Sequence, residues 1–261
     1  MSTSVPAAQA LFIHGAPGDA RVWTPVIDAM AAGRDARAIT LSYFGAGEWP
    51  GDGTDFGTDR HARDIISYVE AAMEWPVTLV AWSFGCHPAL LAAIRRPELF
   101  TSLALYEPSL DSYVDDEAER AAFAADGAAA FPPVIAALEA GDEAAAMRTI
   151  FDNSARPGDY DALSPARQSL YRDSLRVLPL LMGRGQPPAA IASADLARIA
   201  CPVTVAMGEH TRAMFAVPSR AVAAAIPGAK LVEVAGAFHM LPETDPERFA
   251  GLVEGWLEDM T

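Results

Sequence analysis

Short apolar runs rich in branched residues alternate with longer stretches of helical periodicity along most of the 261-residue chain. The runs are ALFIH (Ala10 to His14), ARAITL (Ala36 to Leu41), VTLVAW (Val77 to Trp82), SLALY (Ser102 to Tyr106), VTVAM (Val203 to Met207) and KLVEVA (Lys230 to Ala235). Helix-type spacing covers Trp23 to Gly33, Thr58 to Met73, Gly85 to Arg95, Pro218 to Ile226 and Pro246 to Asp259. Strands that alternate with helices in this way predict an α/β fold: a mostly parallel sheet of about six strands, covered by helices on both faces.

The alternation lapses once. Between Asp111 and Asp195 there is no strand pattern, only Ala-rich helical pieces such as DEAERAAFAADGAAAF and SPARQSLYRDSLRVLPLLMG. This block, residues 111–195, reads as a helical cap inserted into a core made of residues 1–110 and 196–261. Ligands in open α/β sheets bind outside the carboxyl ends of the strands, which is where such a cap would lie. A plain extra helical layer is the alternative.

Composition narrows the function classes. Hydrophobic residues make up 51% and charged residues 20%, enough for a sizeable core. The formal charge of −15 argues against nucleic acid and against an anionic membrane surface, both of which want a basic face. Cys86 and Cys201 provide no disulfide framework, and each reads as a small buried hydrophobe. The start, MSTSVPAAQALFIHG, lacks the basic and long apolar regions of a secretory leader, and no apolar run approaches a membrane-spanning length. A cytoplasmic protein, monomer or homodimer, is expected. There is no H-E-x-x-H, C-x-x-C or P-loop pattern, so neither a metal nor any other cofactor is expected. The glycine-rich FGAGEWPGDG lacks a phosphate fingerprint and reads as a loop at a pocket rim.

The chemistry centres on Ser83. It falls where the run VTLVAW turns into a helix, with Ala81 two residues before it and Gly85 two after. Strand, sharp turn and helix around a serine with small flanks is the pattern of a nucleophile elbow, here A-W-S-F-G rather than G-x-S-x-G. An ordinary turn is the competing reading. A serine hydroxyl needs a base. Of His14, His61, His87, His210 and His239, only His239 follows the last strand in a loop, GAFHMLPETDPERF. His87 points along the helix after the serine and reads as structural. Oxyanion donors are expected from the amide of Phe84 and from the loop HGAPG, with Ala16 the favoured residue.

HGAPG, the Ser83 elbow and GAFHMLPETDPERF, in this order and spacing, resemble an α/β-hydrolase over nearly the whole chain. The family's usual N-terminal strand pair is missing, since the first run leads directly into HG. An epoxide hydrolase or dehalogenase of the family would carry aspartate at the nucleophile, where Ser83 stands. The resemblance also implies an acid for the histidine. Its commoner place, after VTVAM, reads GEHTRAMF here and is held by Thr211. The family's alternative place is the end of the preceding strand, where Glu107 stands in LALYEPSL. This is similar to the subset with a glutamate there, including the zearalenone lactonases, which share a run like Thr211 to Phe215. Glu209 is the second candidate for the acid. A solvated loop glutamate or a helix cap is the bland reading of Glu107.

These residues point to a serine hydrolase acting on a carboxylic ester or lactone of a small hydrophobic molecule through an acyl-enzyme. C–C bond hydrolysis, a lyase, and a thioesterase or cyclase step would use the same three residues. A binding protein on an inactive scaffold is the reading from another class, and the missing aspartate is its best support. Candidate pocket walls are Trp23, Tyr43 and Phe44 from the core, Phe151, Tyr171, Leu178 and Met182 from the cap, and Met214 and Phe215 opposite.

Overall fold

The computed structural model describes residues 9–260; residues 1–8, on which the expectation about a leader falls, lie outside the described residues. Six strands form one sheet: β1 (Ala10–Ile13), β2 (Ala36–Ile39), β3 (Val77–Trp82), β4 (Phe100–Tyr106), β5 (Val203–Gly208) and β6 (Lys230–Val234). Their order is β2-β1-β3-β4-β5-β6, and every neighbouring pair is parallel. The helices are α1 (Thr24–Ala29), α2 (Thr58–Ala72), α3 (Cys86–Arg95), α4 (Glu117–Glu139), α5 (Glu143–Asp152), α6 (Asp159–Ala162), α7 (Pro165–Asp173), α8 (Ser193–Leu196), α9 (Ala213–Ala225), α10 (Leu241–Thr244) and α11 (Pro246–Asp259).

The two-residue period of the strands sorts their side chains between two cores. Ala10, Phe12, Val80, Trp82, Ala104 and Tyr106 face one side, against Val26 of α1 and Phe249, Val253 and Trp256 of α11. Leu11, Ile13, Leu79, Ala81, Leu103 and Leu105 face the other, against Ile65 of α2, Leu90 of α3 and Val222 of α9. Because both faces are covered, the central strands read as unbroken apolar runs. β6, at an edge, is largely exposed along its length.

Two helices differ from the sequence expectation. The helix expected from Pro218 begins five residues earlier, after Arg212, and carries Pro218 in its interior. Proline favours the first helical position, which is why it reads as a start. The segment expected as a helix from Trp23 opens instead with a 3₁₀ turn, Ala20–Trp23, capped by Asp19, and α1 ends before Met30.

Between β4 and β5 the described chain forms only helices and turns, α4 to α8. Asp116 caps α4 by accepting the Glu119 amide at 2.9 Å. Contrary to the sequence expectation, α4 is long and apolar enough to cross a membrane by length and composition. Here it packs against α5 and α9, and its Asp126 is paired with Arg212 at 2.5 Å. A second tie runs from α7, where Arg167 and the hydroxyl of Tyr171 both bond the buried carboxylate of Glu243 in α10. A third joins Arg21 to Asp173 at 2.7 Å. The helical insertion is thus fixed over the sheet at several points.

Candidate active site

Ser83 sits directly after β3 with φ of +55°, in the left-handed region that a residue with a Cβ occupies only at a cost of about 1–2 kcal/mol. The turn is tight because the chain behind it is close. A Cβ on Gly85 would lie 2.5 Å from the carbonyl oxygen of His14, so any larger residue would push the turn off β1. α3 starts at Cys86 immediately behind, which aims its N-terminal amides and the positive end of its dipole toward the serine. Cys86 is buried, its thiol donates to the Ala81 carbonyl at 3.3 Å, and burial pushes its ionisation up; it is an inert core residue rather than a nucleophile. Cys201 is only half-buried, less than the sequence reading expected.

His239 lies in the loop after β6. Three bonds bring that loop over the strand ends. Trp82, the last residue of β3, donates Nε1–H to the His239 carbonyl at 3.1 Å. Tyr106, the last residue of β4, donates its hydroxyl to the Phe238 carbonyl at 2.7 Å. His210 donates its amide to Ala237 at 3.0 Å. Gly208 permits the approach, since a Cβ there would meet the Ala237 oxygen at 2.4 Å. The imidazole Nε2 comes within 3.0 Å of Ser83 Oγ, and Nδ1 lies 2.5 Å from Glu107 Oε2. A carboxylate only accepts, so Nδ1 carries the hydrogen and Nε2 presents its lone pair to the serine hydroxyl.

Glu107 directly follows β4 and is fully buried, with φ of +52°. Two side chains of the site therefore leave their strands through strained backbone. A buried carboxylate needs donors, and Glu107 has three: the Gly208 amide on Oε1 at 2.6 Å, the Thr211 hydroxyl on Oε2 at 2.8 Å, and His239. Glu209 is elsewhere. It is exposed, and its carboxylate accepts the Gly236 amide at 2.6 Å. Thr211, which the sequence presents as a vacancy, is therefore a partner of Glu107.

Ala16 and Phe84 both line the cavity next to Ser83. The Ala16 loop is braced from below. His14 donates Nδ1–H to the Gly15 carbonyl at 2.9 Å and accepts the Leu41 amide on Nε2 at 3.1 Å. Burial pushes the His14 pKa down to about 4, so the ring is neutral near pH 7 and free to accept there. His87 is buried with Nε2 2.8 Å from the Ala189 carbonyl, a structural contact away from Ser83.

The cavity over Ser83 has a volume of about 450 Å³. Phe151, Tyr171, Leu178, Met182, Met214 and Phe215 line it. Trp23 and Tyr43 do not, and both expectations are corrected. Trp23 is fully buried beneath the site, held in the apolar layer by Phe12, Trp82 and Phe249. Tyr43 packs on Trp49 and Phe56 and spends its hydroxyl on Asp55; Phe44 lies in the same layer, against Phe56 and Phe84. Sequence reasoning missed Phe131, Val134 and Ile135 of α4, which form one wall. No Asp, Glu, Lys or Arg faces this cavity among the described residues. Nor do the described residues gather three His, Cys, Asp or Glu side chains placed to hold a metal ion. A smaller cavity of about 250 Å³ lies beside His239 and Thr211.

A doubly covered parallel sheet, with a strained serine at one strand end and a histidine looped over it, defines a hydrolase of the α/β type. The chain belongs to the alpha/beta hydrolase family, whose model matches residues 10–252, and is an enzyme of that family. Its structure is similar to that of an enol-lactonase from Burkholderia xenovorans LB400 (16% identity, TM-score 0.73, 98% of this chain and 94% of that one). It is also similar to an N-acyl homoserine lactone degrading enzyme (17% identity, TM-score 0.72, 95% and 93%). A haloalkane dehalogenase loop variant from Bradyrhizobium elkanii is a further likeness (21% identity, TM-score 0.68, 98% and 91%). No curated protein matches the chain.

Proposed function

We propose that this enzyme is a serine hydrolase that cleaves a carboxylic ester or lactone of an uncharged, hydrophobic small molecule through an acyl-enzyme. The observation that carries the reading is the continuous hydrogen-bonded chain from Ser83 Oγ through His239 to Glu107, with strained backbone at both of its ends.

In the first half-reaction Ser83 Oγ attacks the carbonyl carbon while His239 Nε2 takes its proton. Glu107 keeps the proton on Nδ1 and stabilises the imidazolium. The amides of Ala16 and Phe84 serve as donors to the oxyanion. Imidazolium then protonates the departing alkoxide oxygen, which leaves as the alcohol. In the second half-reaction His239 activates a water that attacks the acyl-serine, and the acid is released with Ser83 restored. A lactone follows the same course with both products joined.

The lining selects an uncharged ligand: a charged group would lose its hydration there with nothing to pair with. Likeness to proteins of such low identity supports the fold alone, so the choice of ester or lactone rests on the geometry. The two lactone-acting neighbours are nevertheless a reason to include lactones in the test. The glutamate after β4 is also where the zearalenone-type lactonases place theirs, which makes large lactones part of the same proposal.

The test is a panel of p-nitrophenyl esters and lactones, together with labelling by a fluorophosphonate probe. The wild-type protein is expected to label and turn over neutral esters; Ser83→Ala is expected to do neither, with kcat down by about a thousandfold or more. Labelling that survives Ser83→Ala, or more than a few per cent of wild-type turnover, would sink the acyl-enzyme reading.

A further inference from the structure

We infer that Thr211 is a positioning residue for the reaction: its hydroxyl, with the Gly208 amide, clamps the Glu107 carboxylate in the plane that His239 requires. The inference rests on the triad reading above and adds a residue to it.

The geometry is that of a two-point clamp. Gly208 and Thr211 are the two ends of one turn, closed by the Thr211 amide on the Gly208 carbonyl at 3.2 Å. From those ends the Gly208 amide reaches Glu107 Oε1 at 2.6 Å and the Thr211 hydroxyl reaches Oε2 at 2.8 Å. The second oxygen is the one that holds His239 Nδ1. Between them, the His210 amide bonds Ala237 at 3.0 Å, so the turn that clamps the acid also holds the loop carrying the base.

Thr211 could instead have served as a helix cap, the common role of threonine before a helix. It does not. The cap position of α9 is Arg212, whose own side chain makes no capping bond, and the Met214 amide is taken by the Asp126 carboxylate of α4 at 3.0 Å. The hydroxyl goes to Glu107. A reason lies in side-chain length: glutamate has one more rotatable bond than aspartate, so its carboxylate plane is harder to fix from one side. Donors to both oxygens supply that restraint.

The test compares Thr211→Val, Thr211→Ala and Thr211→Ser on the best p-nitrophenyl ester. Val and Ala are expected to lower kcat by about tenfold to a hundredfold with KM little changed, a split that a merely structural threonine would not produce. Ser keeps the hydroxyl and is expected to restore kcat. In a Glu107→Gln background, Thr211→Val is expected to cost much less than in the wild type, because the charge it serves is gone. Wild-type kcat in both Val and Ala would overturn the inference while leaving the triad intact, provided that Ser83→Ala is dead. Activity surviving Ser83→Ala would overturn the triad and the clamp with it.

Discussion

The imidazole of His239 lies flat against the ring of Phe215, with centroids 3.5 Å apart and 6° between the planes. Phe215 thus has two surfaces in use, one on the histidine and one on the cavity. An aromatic face attracts a cation, and in the proposed mechanism His239 becomes one on taking the serine proton. Phe215→Leu preserves apolar volume but removes the face. It is expected to lower kcat by roughly fivefold, from about 1 kcal/mol of lost cation–π attraction. Steady-state kinetics on a short ester, whose KM should hardly move, checks this; an unchanged kcat would reduce Phe215 to a wall.

Glu107→Gln is expected to lower kcat by about a hundredfold to ten-thousandfold. The reason is local. The Gly208 amide demands an acceptor, so the glutamine oxygen faces it and the NH₂ group turns toward His239. That arrangement places the imidazole proton on Nε2, where it blocks the serine. Glu209→Gln is expected to stay within about twofold of wild type, since that exposed carboxylate is held by the Gly236 amide and lies away from His239. Parallel kinetics of the two variants decides, and the reverse ranking would move the acid to Glu209.

Stability is expected to fall on acidification before the carboxylates titrate. Burial pushes His14, His61 and His87 down to about 4, while in the unfolded chain they titrate near the ordinary imidazole value of 6.5. Between those values the unfolded state binds more protons, so folding stability is fully present above pH 6.5 and is lost as the pH drops toward 4. Each histidine adds up to about 1.4 kcal/mol per pH unit to that slope. His87→Gln keeps a donor for the Ala189 carbonyl without the titration. Denaturant melts at stepped pH values should show its slope shallower by about one proton; an identical slope would contradict the burial effect.

Phe131 and Ile135 stand at the rim, 44% and 39% exposed, yet line the cavity. Phe131→Ala should therefore cost little stability, unlike truncation of the fully buried Phe151, which would cost about 3–5 kcal/mol. Its effect is expected in selectivity: the ratio of kcat/KM between long-chain and short-chain esters should change by about threefold or more, from lost apolar contact. A flat ratio in Phe131→Ala and Ile135→Ala would make α4 a structural layer only.

Much of this was legible in the chain. The central strands show as apolar runs because both sheet faces are buried, while the edge strand β6 is largely exposed and still reads as a strand from its branched residues. Ser83 and His239 were readable because their signals are local: a strand-to-helix junction with small flanks, and a loop after the last strand. Glu107 was readable only as a choice between places, since the contacts that select it come from residues about a hundred positions away. Trp23 and Tyr43 misled because nearness in sequence to a site says nothing about which layer an aromatic joins. The wall of α4 was hidden for another reason. A helix this rich in alanine is apolar on every side, so periodicity cannot mark which face meets the ligand.

The positive φ at Ser83 has a thermodynamic consequence apart from the reaction. Glycine alone occupies that region without steric cost, so the residue that best suits the backbone there is one with no hydroxyl. Ser83→Gly is expected to melt above Ser83→Ala, because alanine keeps the crowded Cβ and glycine sheds it. The two side effects of glycine oppose each other, as its greater freedom in the unfolded chain returns about 0.5–1 kcal/mol of the 1–2 kcal/mol relieved. Selection for thermal endurance and selection for turnover therefore pull this position toward different residues, and an enzyme kept only for its fold would drift away from serine.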